Sequence, residues 1–194
     1  SSLNAGGAER VITTLANAWA EQGKYVSLIT FEKPGYQSFY PLNASIKLDH
    51  LDLLIRDIPN PVLKIWKILN RFWILHKTLK KHQSDCIISF LDTVNITTII
   101  SAVGLNIPVI ISERVDPRYH SIGFFKNFLR KIIYPFAQHI VVQTMQIQNY
   151  FPQKLHKRIS IIPNPVLLPT NGSQLPIIDF EKKKIIAIGR LETQ

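Results

Sequence analysis

Apolar positions recur at helical spacing near the start of the chain and then give way to short β-rich runs. In "GGAERVITTLANAWAEQG", Ile12, Leu15, Ala16 and Trp19 fall at i, i+3, i+4 and i+7, so they line one face of a helix entered through Gly6-Gly7. Gly23 closes that helix where a left-handed residue is favoured, and Tyr25–Phe31 reads as a strand. A looser extended piece, Ile46–Leu51, follows. The pattern next predicts a long helix over Pro61–His82, then strand Cys86–Phe90, helix Asn95–Val103 and strand Val109–Ser112. Helix Phe124–Ala137, strand His139–Val142, a short helix Met145–Phe151 and strand Ile159–Ile162 complete the series. In the long helix, Val62, Ile65, Leu69, Phe72 and Leu79 are assigned to the core stripe. Trp66, Trp73, Ile74 and the basic set Lys64, Lys67, Arg71, Lys77, Lys80 and Lys81 share the remainder.

Short apolar strands alternating with helices predict an α/β fold, a Rossmann-like parallel sheet with helices on both faces. A glycine turn into a helix normally follows a strand, so the first strand is expected upstream of Ser1. After Pro163 the texture changes. Pro165, Pro169, Pro176 and Asn171-Gly172-Ser173 mark residues 166–183 as an interdomain linker, and Lys184–Ile188 reads as a fresh strand running into Gly189-Arg190. The expected organisation is one domain over 1–165, the linker, and the opening of a second domain over 184–194.

Composition changes this picture only a little. At 46% hydrophobic and 19% charged the chain is ordinary for a globular protein. Its single cysteine, Cys86, rules out a disulfide framework within the chain and suits the cytoplasm. The longest uncharged run, Thr93–Ser112, has the length of a bilayer span, but Gly104, Asn106 and Pro108 split it into helix, turn and strand. Three Asn-x-Ser/Thr sequons, at Asn43, Asn95 and Asn171, read as chance in an Asn-rich chain.

Charge points to partners. The chain carries 23 Lys+Arg against 13 Asp+Glu, a net +10, which suits nucleic acid, an anionic membrane or phosphorylated small molecules. In an open parallel sheet, ligands gather beyond the carboxyl ends of the strands. Standing there are Glu32, Ser89 with Asp92, Glu113-Arg114 with Asp116, Gln143-Thr144, Pro163-Asn164 and Gly189-Arg190. Gly6-Gly7 would share that edge, where bare backbone N–H groups at a helix mouth accept a phosphate.

Other chemistries fit less well. "AGGAER" lacks the first spacing and the last glycine of a dinucleotide fingerprint, although Glu32 could stand as the ribose-binding acid. No Walker lysine follows the glycines, and no Gly-x-Ser-x-Gly elbow occurs. The six histidines show no metal spacing.

"SLNAGGAERVITTLANAWAEQGKYVSLIT", "ISERVDP", "IIPNPV" and "IIAIGRLETQ" stand in the order found in glycosyltransferase family 4. Over nearly its whole length the chain resembles the N-terminal half of a retaining, GT-B-type member. "SFLDTVN" and "SERVDP" further resemble the branch holding N-acetylgalactosamine transferases of polysaccharide and lipid-linked oligosaccharide assembly. The resemblance implies two Rossmann-like domains around a cleft, with a nucleotide-sugar co-substrate (UDP-linked) and no metal or other cofactor. It implies that Gly6 and Gly7 approach the donor diphosphate and that Arg190 neutralises it. The family's paired glutamates would lie beyond Gln194, so residues 1–194 alone are expected to be inactive. Many relatives carry a histidine beyond the strand matching Val109–Ser112; this chain has Glu113 and Arg114 there. That pair, with Asp92 and Asn164, is assigned to sugar or acceptor hydroxyls. Otherwise Glu113-Arg114 is a surface ion pair and Asn164 a turn former between two prolines.

A glycan or lipid-linked acceptor raises the question of a membrane. The basic-aromatic mixture in Pro61–His82 returns in Phe124–Phe136 and suits an interfacial helix on anionic lipid, hence a peripheral place on the cytoplasmic membrane face. An ordinary sheet-covering helix with a solvated basic face explains it equally. The competing classes are a basic nucleic-acid-binding module and a catalytically idle Rossmann-like scaffold. No RNP pattern, KH glycine loop or helix-turn-helix signal supports the former, so no nucleic-acid partner is expected.

Overall fold

The computed structural model describes residues 3–55, 58–119 and 123–165. The expected linker 166–183, the strand beyond it and Arg190 lie outside the described residues. Helix α1 (Gly7–Glu21) leads to strand β1 (Ser27–Thr30) and then β2 (Lys47–His50). Helix α2 (Pro61–His82) leads to β3 (Ile87–Phe90), α3 (Asp92–Ser101) to β4 (Val109–Ser112), and α4 (Phe124–Ile133) with a 3₁₀ turn (Tyr134–Phe136) to β5 (His139–Val142). Short helices α5 (Met145–Gln148) and α6 (Gln153–His156) precede β6 (Ile159–Ile161).

Every strand pairing among the described residues is parallel. One sheet has the order β3-β4-β5-β6, with Ile87 opposite Val109, Ile111 opposite Ile140 and Ile140 opposite Ile159. A second sheet holds β1 and β2, with Ser27 opposite Lys47. The main core joins Ile111, Ile140 and Val142 of the larger sheet to Leu75 and Leu79 of α2, Ile96 and Ile99 of α3, and Leu155 of α6. A smaller cluster of Leu3, Ala16 and Leu28 packs α1 on β1. The α/β reading with parallel sheets and flanking helices is therefore correct.

Two helix starts among the described residues carry a side-chain cap. Asn60 caps α2 by accepting from the backbone N–H groups of Val62 (2.9 Å) and Leu63 (3.2 Å), with Pro61 in the first turn. Thr144 caps α5 through Ile147 N–H at 3.3 Å. Helix α3 begins at Asp92, earlier than Asn95, and α4 tightens into the 3₁₀ turn where Pro135 removes a donor. The separate helix α6, not anticipated, starts after Pro152.

The expected core stripe of α2 needs correction. Val62, Ile65 and Leu69 are exposed, and the buried positions are Leu75 and Leu79. In the amino-terminal half of α2 a wide apolar face (Val62, Leu63, Ile65, Trp66, Leu69) stands in solvent beside Lys64 and Lys67, and only the second half of the helix reaches the core. Arg71, assigned to the basic surface, turns inward instead. Its guanidinium donates to the Leu53 carbonyl at 2.7 and 3.0 Å and lies 5.2 Å from the Phe31 ring centre. Among the described residues no helix is long and apolar enough to cross a membrane.

Candidate functional site

The carboxyl ends of β3 and β4 converge on a buried ionic cluster. Glu113 follows β4 and is anchored by its N–H to the Val141 carbonyl (2.9 Å) of neighbouring β5. Its side chain is 1% exposed. The Tyr134 hydroxyl donates to Glu113 Oε2 at 2.6 Å, and Arg130 Nε lies 3.6 Å from the same oxygen. Arg130, also 1% exposed, reaches Asp92 Oδ2 with Nη2 at 3.5 Å. Asn95, fully buried on α3, ties the cluster to the sheet. Its amide donates to the Ser112 carbonyl (3.1 Å) and the Tyr134 hydroxyl (3.3 Å) and accepts from Ser89 Oγ at 2.7 Å.

Burial dominates the electrostatics. It pushes the Glu113 carboxyl up to about 7 from 4.5, against the opposing pull of Arg130 and the Tyr134 hydroxyl, with Asp92 adding a smaller upward push. Burial and the neighbouring Glu113 together raise Tyr134 well above the ordinary phenol range. Burial alone would lower Arg130, but Glu113, Tyr134 and Asp92 outweigh it and keep the guanidinium charged. Arg130 Nε and Nη1 make no hydrogen bond among the described residues, so the cation is held by the field of Glu113 and Asp92 more than by directed bonds.

The turn joining β3 to α3 is strained. Leu91 sits at φ 75°, ψ 143°, a region a non-glycine residue enters at a cost of about 1–3 kcal/mol. Its N–H bonds the Ser112 carbonyl (3.3 Å) and its carbonyl accepts from Asn95 N–H (2.8 Å). The cluster thereby holds the start of α3, and with it Asp92, whose side chain keeps 13% exposure.

The expected site residues separate into three groups. Glu113 and Asp92 come together through Arg130. Glu113 and Arg114 do not form a surface ion pair: Glu113 is interior, while half-buried Arg114 lies 5.6 Å from the Phe90 ring centre, and burial lowers its pKa. The Glu113 carboxylate is thus engaged in the interior by Tyr134 and Arg130. Asn164 is exposed, its side-chain oxygen accepting from Gln143 at 3.1 Å. Ser89, expected among the edge residues, points into the interior toward Asn95.

At the other glycine-bearing edge, Gly6 caps α1 in an extended conformation and Gly7 opens the helix. A Cβ at Gly7 would meet nothing within 4 Å, whereas one at Gly6 would strike the Glu9 carboxylate. Glu9, in the first helical turn, therefore lies over the amide mouth that an incoming anion would use.

The sequence reading missed Arg130, Tyr134 and Asn95. A signal existed. Leu129 and Ile133 form an i, i+4 pair packed on the core, which carries neighbouring Arg130 and Tyr134 inward. An inward arginine needs carboxylates, and Asp92 and Glu113 already stood at the strand ends. Among the described residues no group of three or more His, Cys, Asp or Glu could hold a metal.

This edge chemistry on a parallel α/β sheet is accompanied by a match to the model of Glycosyltransferase Family 4 over residues 5–168. The chain belongs to that family. It is 36% identical over 193 residues to a GalNAc-alpha-(1->4)-GalNAc-alpha-(1->3)-diNAcBac-PP-undecaprenol alpha-1,4-N-acetyl-D-galactosaminyltransferase of Campylobacter jejuni, covering 99% of this chain and 51% of that protein. An uncharacterized glycosyltransferase of Haemophilus influenzae is 26% identical over 190 residues, covering 97% of this chain and 50% of its own length. The chain thus spans about half the length of the curated relatives it matches. The crystal structure of Acinetobacter baumannii MurG superposes with a TM-score of 0.50 at 19% identity, covering 76% of this chain and 40% of that one, a likeness of fold alone.

Proposed function

We propose that this chain supplies the acceptor-side half of a retaining glycosyltransferase that moves a sugar from a nucleotide-sugar donor to a glycan or lipid-linked acceptor. The observation that carries the reading is the family match over residues 5–168, which runs through the strand ends that hold the candidate site. The Campylobacter relative extends the proposal to an N-acetylgalactosaminyl group and a polyprenyl-diphosphate-linked acceptor.

In this reading the amides at the mouth of α1, at Gly6 and Gly7, face the donor diphosphate once Glu9 swings aside. Arg190 supplies a cation to the same leaving group. Amide dipoles and arginine can stabilise a departing nucleoside diphosphate without a metal. Asp92, Arg114 and Asn164 serve the sugar or acceptor hydroxyls, and Glu113 acts from the interior by fixing Asp92 through Arg130. The full-length protein, given UDP-linked sugars and a polyprenyl-diphosphate oligosaccharide with EDTA present, should form extended product. Failure with every UDP-sugar, or strict dependence on added metal, would sink the reading.

Membrane docking belongs to the same proposal. Trp66 (59% exposed), Leu69 and Trp73 on α2, and Phe124 (91% exposed), Phe125 and Phe128 on α4, stand in solvent beside basic side chains. Apolar area with lysines suits the face of an anionic bilayer on the cytoplasmic side, where a lipid-linked acceptor presents its glycan. The protein should co-sediment with phosphatidylglycerol vesicles and leave them as salt rises. Lys64→Glu with Lys67→Glu should weaken that binding at least tenfold, at about 1 kcal/mol per cation. Unchanged binding would remove α2 from the contact.

A further inference from the structure

Three of the described arginines are buried or half-buried, and two of them show what a desolvated guanidinium requires. Arg130 has Asp92 Oδ2 at 3.5 Å and Glu113 Oε2 at 3.6 Å. Arg71 donates twice to the Leu53 carbonyl, at 2.7 and 3.0 Å. The third, Arg114, has neither kind of partner. Its Nε is shut off from solvent without a hydrogen bond, and no described residue forms an ion pair with it. The carboxylates nearest in sequence are already engaged: Glu113 by Tyr134 and Arg130, and Asp116 by Arg118 at 2.6 and 3.0 Å. What Arg114 does have is the Phe90 ring, whose centre lies 5.6 Å from the guanidinium carbon. A ring face orients a guanidinium but leaves its five donors unused.

Burial lowers the pKa of Arg114, so its charged form has lost water that no described residue replaces. A sugar hydroxyl would accept one hydrogen bond there and bring no charge. A phosphate would bring two oxygens that match the guanidinium fork, together with the negative charge that the fold withholds. The position suits such a ligand. Arg114 stands beyond the carboxyl end of β4 and over Phe90, the last residue of β3. Phe90 in turn shares a cavity with Ala8 and Glu9 in the first turn of α1, next to the Gly6-Gly7 mouth.

We infer that Arg114 is an oxyanion-selecting residue: it grips a substrate phosphate through two parallel N–H···O bonds while Phe90 fixes the plane of its guanidinium. The inference rests on the glycosyltransferase reading above and sharpens one of its contacts from a hydroxyl to a charge. The phosphate belongs either to the nucleotide-sugar donor or to a diphosphate-linked acceptor, and the two are separable.

The test uses the full-length protein with Arg114→Gln and Arg114→Lys. Inorganic pyrophosphate, titrated by calorimetry with no sugar or lipid present, reads the contact without requiring transfer. Arg114→Gln should weaken that binding about tenfold, and Arg114→Lys should restore it only in part, because a lysine has charge but no fork. The Arg114→Gln form should also melt at the parent's temperature or above, since it gives up an unpaired, half-buried cation. In steady-state assays of that form, a raised KM for the UDP-sugar alone assigns the phosphate to the donor. A raised KM for the polyprenyl-diphosphate oligosaccharide alone assigns it to the acceptor. Loss of pyrophosphate binding in a protein that transfers no sugar sustains the oxyanion contact and removes only the glycosyltransferase reading. Equal pyrophosphate affinity in the parent and Arg114→Gln overturns the inference. So does an Arg114→Gln form that melts well below the parent and recovers in Arg114→Lys, because Arg114 is then a structural partner of another part of the full-length chain.

Discussion

The β3–β6 sheet and the β1–β2 sheet are made from similar apolar strands, yet they reach different degrees of burial. In the larger sheet Ile111 and Val142 are fully buried and Ile140 is 1% exposed, and the interior even encloses charge. In the smaller, β2 has no buried residue, and the α1 stripe residues Ile12, Leu15 and Trp19 are only half-buried. The difference is one of neighbours: among the described residues β4 and β5 have a strand on each side, whereas β1 is paired on one side with β2. A parallel strand acquires its stability from being covered on both edges and both faces. The same lesson applies within α2, buried at Leu75 and Leu79 and solvated at its start.

Removing the cation should show the contrast most strongly. Arg130→Ala removes the cation between Glu113 and Asp92, so that Glu113 must take up a proton at neutral pH, and should cost about 3 kcal/mol, more as pH rises above 7. Urea unfolding reads it directly. Arg130→Lys should recover part of the stability but place its charge differently, so donor turnover should recover less. A loss below about 1 kcal/mol would mean that the cluster is wetter than its burial implies.

Cavity-forming substitutions compare the sheets themselves. Ile111→Ala, in the middle of the larger sheet, should cost about 3–5 kcal/mol, and Leu28→Ala on β1 about 2 kcal/mol, because an open neighbourhood collapses onto a void more easily. Equal costs would contradict the difference in packing.

Those strands were also the most legible part of the sequence. Short β-branched runs place β3, β4, β5 and β6 within a residue of their observed ends, since their length, β-branched content and flanking polar or proline residues separate them from helices. The face of α2 was not legible, because Val62, Ile65 and Leu69 repeat at helical spacing whether or not a sheet lies beneath them. Arg130 was hidden for a related reason. An arginine among exposed phenylalanines reads as surface until Asp92 and Glu113 are known to face it. The strand ends that carry the candidate residues were therefore readable, and the electrostatics around them was not.

The next effect is smaller and depends on pH. The Glu113 carboxyl sits at about 7 in the fold against 4.5 ordinarily, so the folded protein holds its proton more tightly than the unfolded chain. The contribution to stability is whole below pH 4.5, declines as pH rises toward about 7, and is gone above it. The decline should total about 3 kcal/mol. Glu113→Gln keeps a neutral, buried side chain and should flatten the curve in that window relative to the parent. A parallel pair of curves would mean that Glu113 stays ionised beside Arg130 throughout.

The smallest effect on stability should come from the first turn of α1, in the sparsely packed half, and it separates fold from ligand. Gly7 has an ordinary helical setting, and a Cβ there would touch nothing within 4 Å. Gly7→Ala should therefore stabilise the protein, by about 0.5 kcal/mol, mainly by restricting the unfolded chain. The fold gives no reason for glycine at this position; a phosphate approaching bare amides does. Donor KM in the full-length protein should rise several-fold for Gly7→Ala and further for Gly7→Val, while the melting temperature of the alanine form stays level or climbs. Gly6→Ala tests the neighbouring position differently, because its methyl would displace the Glu9 carboxylate from the helix mouth. If both alanine forms bind donor as the parent does, the glycine pair has no ligand role. If only Gly7→Ala weakens donor binding, Glu9 is a movable cover over an anion site.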